Sequence, residues 1–96
     1  MDNFLSKLND FFTEFNISSE VKDREAKHYE EVCEYIEAVQ TSTREHADDE
    51  AIDMFITATA LCKARGINNI LTMAGLKLER ASDRYRKQNL DKQKFI

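Results

Sequence analysis

The stretch Ala51-Ile52-Asp53-Met54-Phe55-Ile56-Thr57-Ala58-Thr59-Ala60-Leu61-Cys62 decides the fold. It is apolar or small almost all round, the pattern of a helix buried on most of its faces. Asp48 and Asp49 lie just before it and suit the positive end of a helix. Lys63 and Arg65 suit the negative end. Gly66 fits the left-handed position that closes a helix. The helix is therefore expected to start near residues 47–49 and to stop before Gly66. One residue does not belong in such a run. Asp53 would lie inside the most buried helix of the protein, where a carboxylate without a partner costs several kcal/mol or shifts its pKa until it is neutral. A bound cation removes that cost.

The neighbouring segments are helical as well. Phe4, Leu5, Leu8, Phe11, Phe12 and Phe15 recur at three- and four-residue steps and give residues 1–17 one apolar stripe. Asn16, Ser18 and Ser19 interrupt it. A second helix is expected from about residue 19 to 42, with Tyr29, Val32, Cys33, Ile36 and Val39 as its stripe, and the polar stretch 41–46 reads as a connection. Asn68 or Asn69 can cap a fourth helix that carries Leu71, Ala74, Leu78, Ala81 and Tyr85. Beyond Tyr85 the chain turns polar and basic, and residues 87–96 are expected to form a flexible tail. The expectation is an all-α four-helix bundle that makes one domain of residues 1–96.

Composition narrows the function. The 96 residues carry 14 Lys and Arg against 18 Asp and Glu, a net charge of −4. At 42% hydrophobic residues the chain is too apolar for disorder. Two Gly and no Pro speak against a turn-rich β fold and against a Gly-rich phosphate loop. No apolar run approaches the ~20 residues of a membrane span, and no basic leader with an apolar stretch opens the chain. No membrane role is expected, and the location is expected to be cytoplasmic. The acidic balance argues against a nucleic-acid polymer as partner. A chain this short has a thin core, and association with partner subunits would help it. Cys33 and Cys62 form no CxxC and read as free, buried thiols.

The acids form a pattern of their own. Glu30, Glu31, Glu34 and Glu37 fall within two turns, on the side of their helix away from its apolar stripe. Taken alone, that is a solvated face. Glu31 and Glu34 are three apart, and so are Glu50 and Asp53. Each pair projects from one face of its helix. Antiparallel packing would bring both pairs to a common point, where four hard oxygen donors suit Mg2+, with Mn2+ as substitute, better than zinc. A di-iron centre would need two Glu-x-x-His pairs, and only Glu25 to His28 has that spacing. His28 and His46 therefore read as surface or interface residues. On the fourth helix Lys77, Arg80 and Arg84 recur on one face. Beside an acidic metal site, a basic stripe suits contact with substrate phosphates better than solvation alone.

These residues carry a resemblance. Glu30-Glu31-x-x-Glu34, fifteen intervening residues (35–49), then Glu50-x-x-Asp53 resembles the signature of the MazG-like all-α nucleoside triphosphate pyrophosphohydrolases, and the likeness spans about residues 28–86. It implies cleavage of a (d)NTP between its α and β phosphates to a (d)NMP and pyrophosphate. Glu31, Glu34, Glu50 and Asp53 would bind Mg2+, and Glu30 would orient or deprotonate the attacking water, or support the ligands from behind. The resemblance also implies a dimer or dimer of dimers, with the site completed by a neighbouring subunit. Lys77 and the Arg84-Tyr85 pair resemble the family's last-helix pattern, and that resemblance implies Tyr85 as a candidate nucleotide contact. The Asn that often stands between them is Ala81 here. No Phe of the first helix is assigned to substrate. Two alternatives stand beside this reading. One is a non-enzymatic helical interaction module with an exposed acidic face. The other is a phosphoribosyl-ATP pyrophosphohydrolase-like enzyme, which shares the general fold and fits the acidic pattern less closely.

Overall fold

The computed structural model describes residues 2–88. It contains helices α1 (Asp2–Glu14), α2 (Val21–Thr41), α3 (Arg44–Ala64) and α4 (Ile70–Gln88), and no strand among the described residues. The all-α class holds. Of the tail expected over 87–96, Lys87 and Gln88 continue α4, and 89–96 lie outside the described residues.

The helix ends follow local chemistry. At the end of α3, Gly66 takes φ +84°, Ile67 N–H donates to Cys62 O at 3.0 Å, and Gly66 N–H donates to Lys63 O at 2.9 Å. That is the paired closure expected of a left-handed residue after a helix. Asn16 does the same for α1 at φ 51°, with Ile17 N–H bonded to Phe12 O at 3.0 Å. Asn tolerates this region because its short polar side chain makes local hydrogen bonds.

Helix α3 begins at Arg44, earlier than the 47–49 expected, and the connection expected over 41–46 shrinks to Ser42 and Thr43. The cause is Thr43, whose hydroxyl accepts from His46 N–H at 3.2 Å and caps the helix. A link this short folds α3 back along α2, and these two helices form the principal packed pair. Helix α4 leans on α3, and α1 crosses the pair through Leu8, Phe12 and a Phe4–Phe55 ring contact of 5.4 Å.

The core is thin, as the length implied. Among the described residues, only Leu8, Ala38, Ala60 and Ala81 are buried apolar residues, and no large side chain is fully buried. The radius of gyration is 16.1 Å, whereas a compact chain of this length would have about 12.5 Å. Helix α3 carries the most buried positions, among them Thr57, Thr59 and Ala60.

Helix α2 differs from expectation in its orientation. Its buried residues are Glu31 and Ala38. Tyr29, Ile36 and Val39 of the apolar stripe are 72%, 51% and 56% exposed, and Cys33 is exposed with them rather than buried. Because α3 presents its own acids and small residues, α2 turns the Glu31–Ala38 line inward, keeps Glu30, Glu34 and Glu37 in solvent, and leaves most of the stripe uncovered.

Candidate active site

Glu31 lies midway along α2. Glu50 and Asp53 lie one turn apart on the facing side of α3. One carboxylate oxygen from each falls within 4.8 Å of the others. The side chains of Glu31 and Glu50 are only 9% and 14% exposed. Like charges at such separations repel strongly where water is scarce.

Each glutamate is held by one oxygen. Lys27 Nζ lies 3.1 Å from Glu31 Oε1 and 3.5 Å from Glu30 Oε1. His46 Nε2 lies 3.1 Å from Glu50 Oε1. The remaining oxygens, Glu31 Oε2 and Glu50 Oε2, are buried without a hydrogen-bond partner. A buried acceptor left unsatisfied costs about 1–3 kcal/mol, more when charged. Two of them beside a third carboxylate fit a hard divalent cation, whose ligands are carboxylate oxygens of this kind. Mg2+ or Mn2+ would be held by Glu31, Glu50 and Asp53.

The electrostatics carry the same strain. Burial pushes the Asp53 carboxyl above its ordinary value, and the charges of Glu31, Glu50 and Asp49 add to the shift, with Lys27 opposing it. Glu34 stands beside the cluster, exposed. A hydrogen bond to Glu31, and then the Glu31 charge, hold its carboxyl above the usual range. It lines a pocket of about 280 Å³ with Glu50 and His46. It can join a metal as a ligand from the solvent side. Glu30 is exposed and bound to Lys27.

A second cleft, of about 400 Å³, opens from the other side of the cluster. Glu31 and Asp53 form its acidic end, Lys27 and Arg24 its cationic wall, and Phe11 and Phe12 its apolar wall. The Arg24 guanidinium lies over the Phe12 ring at 5.3 Å from the centroid. The carboxylates thus have room for an anionic, partly apolar molecule beside them.

Lys27, Arg24 and the partnership of His46 are what sequence reading missed. Lys27 lies three and four residues before Glu30 and Glu31, and His46 lies four before Glu50. That helical spacing was the available signal. His28 is half-buried and bonds Thr57 Oγ1 through Nδ1 at 2.7 Å, so neither histidine belongs to the three-carboxylate group. Lys77, Arg80 and Arg84 are exposed on α4, line none of these clefts and form no ion pair among the described residues. Tyr85 is half-buried on the same helix.

The family model described as phosphoribosyl-ATP pyrophosphohydrolase matches residues 4–87. The chain belongs to this family. That places it within the MazG-like all-α superfamily and indicates a hydrolase that releases pyrophosphate from a nucleotide. The matching family is the alternative whose acidic pattern this chain fits less closely than that of the (d)NTP enzymes. No curated protein and no solved structure matches the chain. No described helix is long and apolar enough to cross a membrane.

Proposed function

We propose that the protein is a Mg2+-dependent pyrophosphohydrolase that cleaves a (d)NTP between its α and β phosphates, giving a (d)NMP and pyrophosphate in the cytoplasm. The observation that carries this reading is the pair of buried, unpartnered oxygens on Glu31 and Glu50 beside Asp53. An interaction module has no use for carboxylates buried against one another, and family membership favours the enzyme.

Bound Mg2+ would bridge the acidic pocket to the phosphates and offset charge on the leaving group. The chain's own residues do the rest. Glu31, Glu50 and Asp53 are the ligands, with Glu34 completing the set from the rim. Lys27 holds Glu31 and Glu30 in place through its ammonium. Glu30, exposed and one residue from a ligand, orients the attacking water and takes its proton on a carboxylate oxygen. Arg24 and the Phe11 and Phe12 rings bound the cleft that receives the substrate.

Within one chain the basic stripe of α4 stays away from the clefts, and the apolar stripe of α2 stays uncovered. Both fit a homodimer or homotetramer in which Tyr29, Ile36 and Val39 meet a second copy and α4 serves a partner's groove. Lys77, Arg80 and Arg84 then contact phosphates and Tyr85 the nucleotide. A mass of twice or four times the chain by light scattering is the expected result, and a monomer at working concentration removes this part of the reading.

One observation favours a second substrate. The matching family is defined by phosphoribosyl-ATP, itself a nucleotide with a triphosphate chain. A product assay by anion exchange separates the readings, using a panel of NTPs, dNTPs and phosphoribosyl-ATP with and without Mg2+. Monophosphate and pyrophosphate from one or more (d)NTPs, only with metal, is expected. Turnover of phosphoribosyl-ATP alone transfers the assignment to that substrate, and turnover of none overturns the enzyme.

A further inference from the structure

Three groups on different parts of the backbone meet at the start of α3. Ser42 Oγ lies 2.7 Å from His46 Nδ1, and His46 Nε2 lies 3.1 Å from Glu50 Oε1. The His46 backbone is fixed as well, because its N–H donates to Thr43 Oγ1. A carboxylate only accepts, so Nε2 carries the hydrogen toward Glu50. In the neutral ring Nδ1 then accepts from the Ser42 hydroxyl. The chain Ser42–His46–Glu50 therefore runs from the two-residue turn to one of the three clustered carboxylates.

The outcome at Glu50 is directional. Oε1 is taken by His46, and Oε2 is left buried with no partner beside Glu31 and Asp53. Lys27 does the same to Glu31 from the other helix. The two holds differ in kind. Lys27 is a flexible cation. His46 is a planar ring pinned at both nitrogens and at its own N–H, so it can fix the rotation of the Glu50 carboxylate. Outer partners that orient a ligand typically change metal affinity by about 10–100-fold when removed.

We propose that His46 is a positioning residue for the metal site: through Nε2 it presents Glu50 Oε2 to the divalent cation, with Ser42 and the α2–α3 turn as its anchor. This rests on the metal reading above and extends it to residues outside the acidic set.

Mn2+ affinity, read by the paramagnetic signal of free Mn2+ in the absence of any nucleotide, is the measurement. His46→Ala weakens binding about 10–100-fold. His46→Gln, whose amide can donate to Glu50, recovers most of the loss. Ser42→Ala falls between wild type and His46→Ala. Should His46→Ala fail to fold, Ser42→Ala against His46→Gln carries the test alone. Wild-type Mn2+ affinity in His46→Ala, or in Ser42→Ala where His46→Ala does not fold, overturns the proposal, as does equal loss in His46→Gln and His46→Ala. A merely structural role would lower the melting temperature of the metal-free variants and leave affinity unchanged. Failure of the enzymatic reading is separate. A wild-type chain that binds Mn2+ and shows the variant series, yet releases no pyrophosphate, retains the role of His46 and loses the hydrolase. A wild-type chain that binds no Mn2+ overturns both.

Discussion

Two charged stripes stand in this molecule, and they have opposite fates. Glu50 and Asp53 stand one turn apart on α3 and meet Glu31 of α2, whereas Lys77, Arg80 and Arg84 recur at helical steps along α4. The acids are drawn into the tightest packed part of the chain, with one oxygen each on Glu31 and Glu50 held and the other left without a partner. The cations stay in water. Periodic charge alone therefore does not mark a site. What distinguishes the acids is desolvation that the chain itself leaves uncompensated, which raises the Asp53 carboxyl and has no structural benefit in the metal-free protein.

The largest expected effect breaks the acidic side of that comparison. Asp53→Asn removes one charge from the cluster and, on the proposed reading, one ligand of the divalent cation. Pyrophosphate release should fall about a thousandfold, which corresponds to about 4 kcal/mol of transition-state stabilisation, with helix content retained by circular dichroism. Metal-free stability should move the other way, because repulsion is relieved. The sign with pH follows from the raised carboxyl. Folded Asp53 holds its proton to higher pH than the unfolded residue does. Its contribution to stability is thus complete below the ordinary value of 3.8 and lost as the pH rises through the raised one. The melting-temperature advantage of Asp53→Asn over wild type should open across that window and persist at neutral pH. Saturating Mg2+ should close it, because ligand bound to the folded state stabilises wild type by mass action. Wild-type turnover in Asp53→Asn, or an advantage that ignores Mg2+, would remove the metal from this site.

The basic side is sharpened by a smaller change. If α4 serves a partner's groove, Arg84→Ala and Lys77→Ala should each raise KM about tenfold or more, since a hydrogen bond to a charged group contributes about 1.5–3 kcal/mol. Mn2+ affinity should not change, because neither residue touches the acids. Titration of KM against substrate, with assembly checked by light scattering, separates lost phosphate contact from lost assembly. An unaltered KM in both variants would return the stripe to plain solvated surface.

The helices and the acidic set were legible because both rest on short-range spacing. Gly66 after Lys63 and Arg65 marked one boundary, and the three-residue steps Glu31–Glu34 and Glu50–Asp53 contain the three carboxylates that cluster, with Glu34 standing exposed at the rim instead of among them. Two features were not legible. Thr43 was one polar residue among several in 41–46, and only the bond from His46 N–H shows that it starts α3. The orientation of α2 was also hidden. Its apolar stripe and its acids compete for the inner position, and periodicity does not say which wins. The choice depends on what α3 presents, namely Glu50, Asp53 and small side chains, a fact of tertiary packing. For the same reason Cys33, Ile36 and Val39 were expected inside and lie outside.

The smallest effect tests how firmly the turn supports the acids. Thr43→Ala deletes the hydroxyl that accepts from His46 N–H at 3.2 Å. Loss of an N-cap costs about 1 kcal/mol, and in a chain of this size that lowers the melting temperature by roughly 4–8 °C. The side-chain bonds of His46 to Ser42 and Glu50 remain, so Mn2+ affinity should fall far less than in His46→Ala. Turnover at saturating metal should stay near wild type. A loss of affinity equal to that of His46→Ala would show that the backbone of the first turn, rather than the imidazole, sets the orientation of Glu50. The difference between the two variants in calorimetry and in Mn2+ titration thus assigns the support of the acidic groove either to one side chain or to the helix start as a whole.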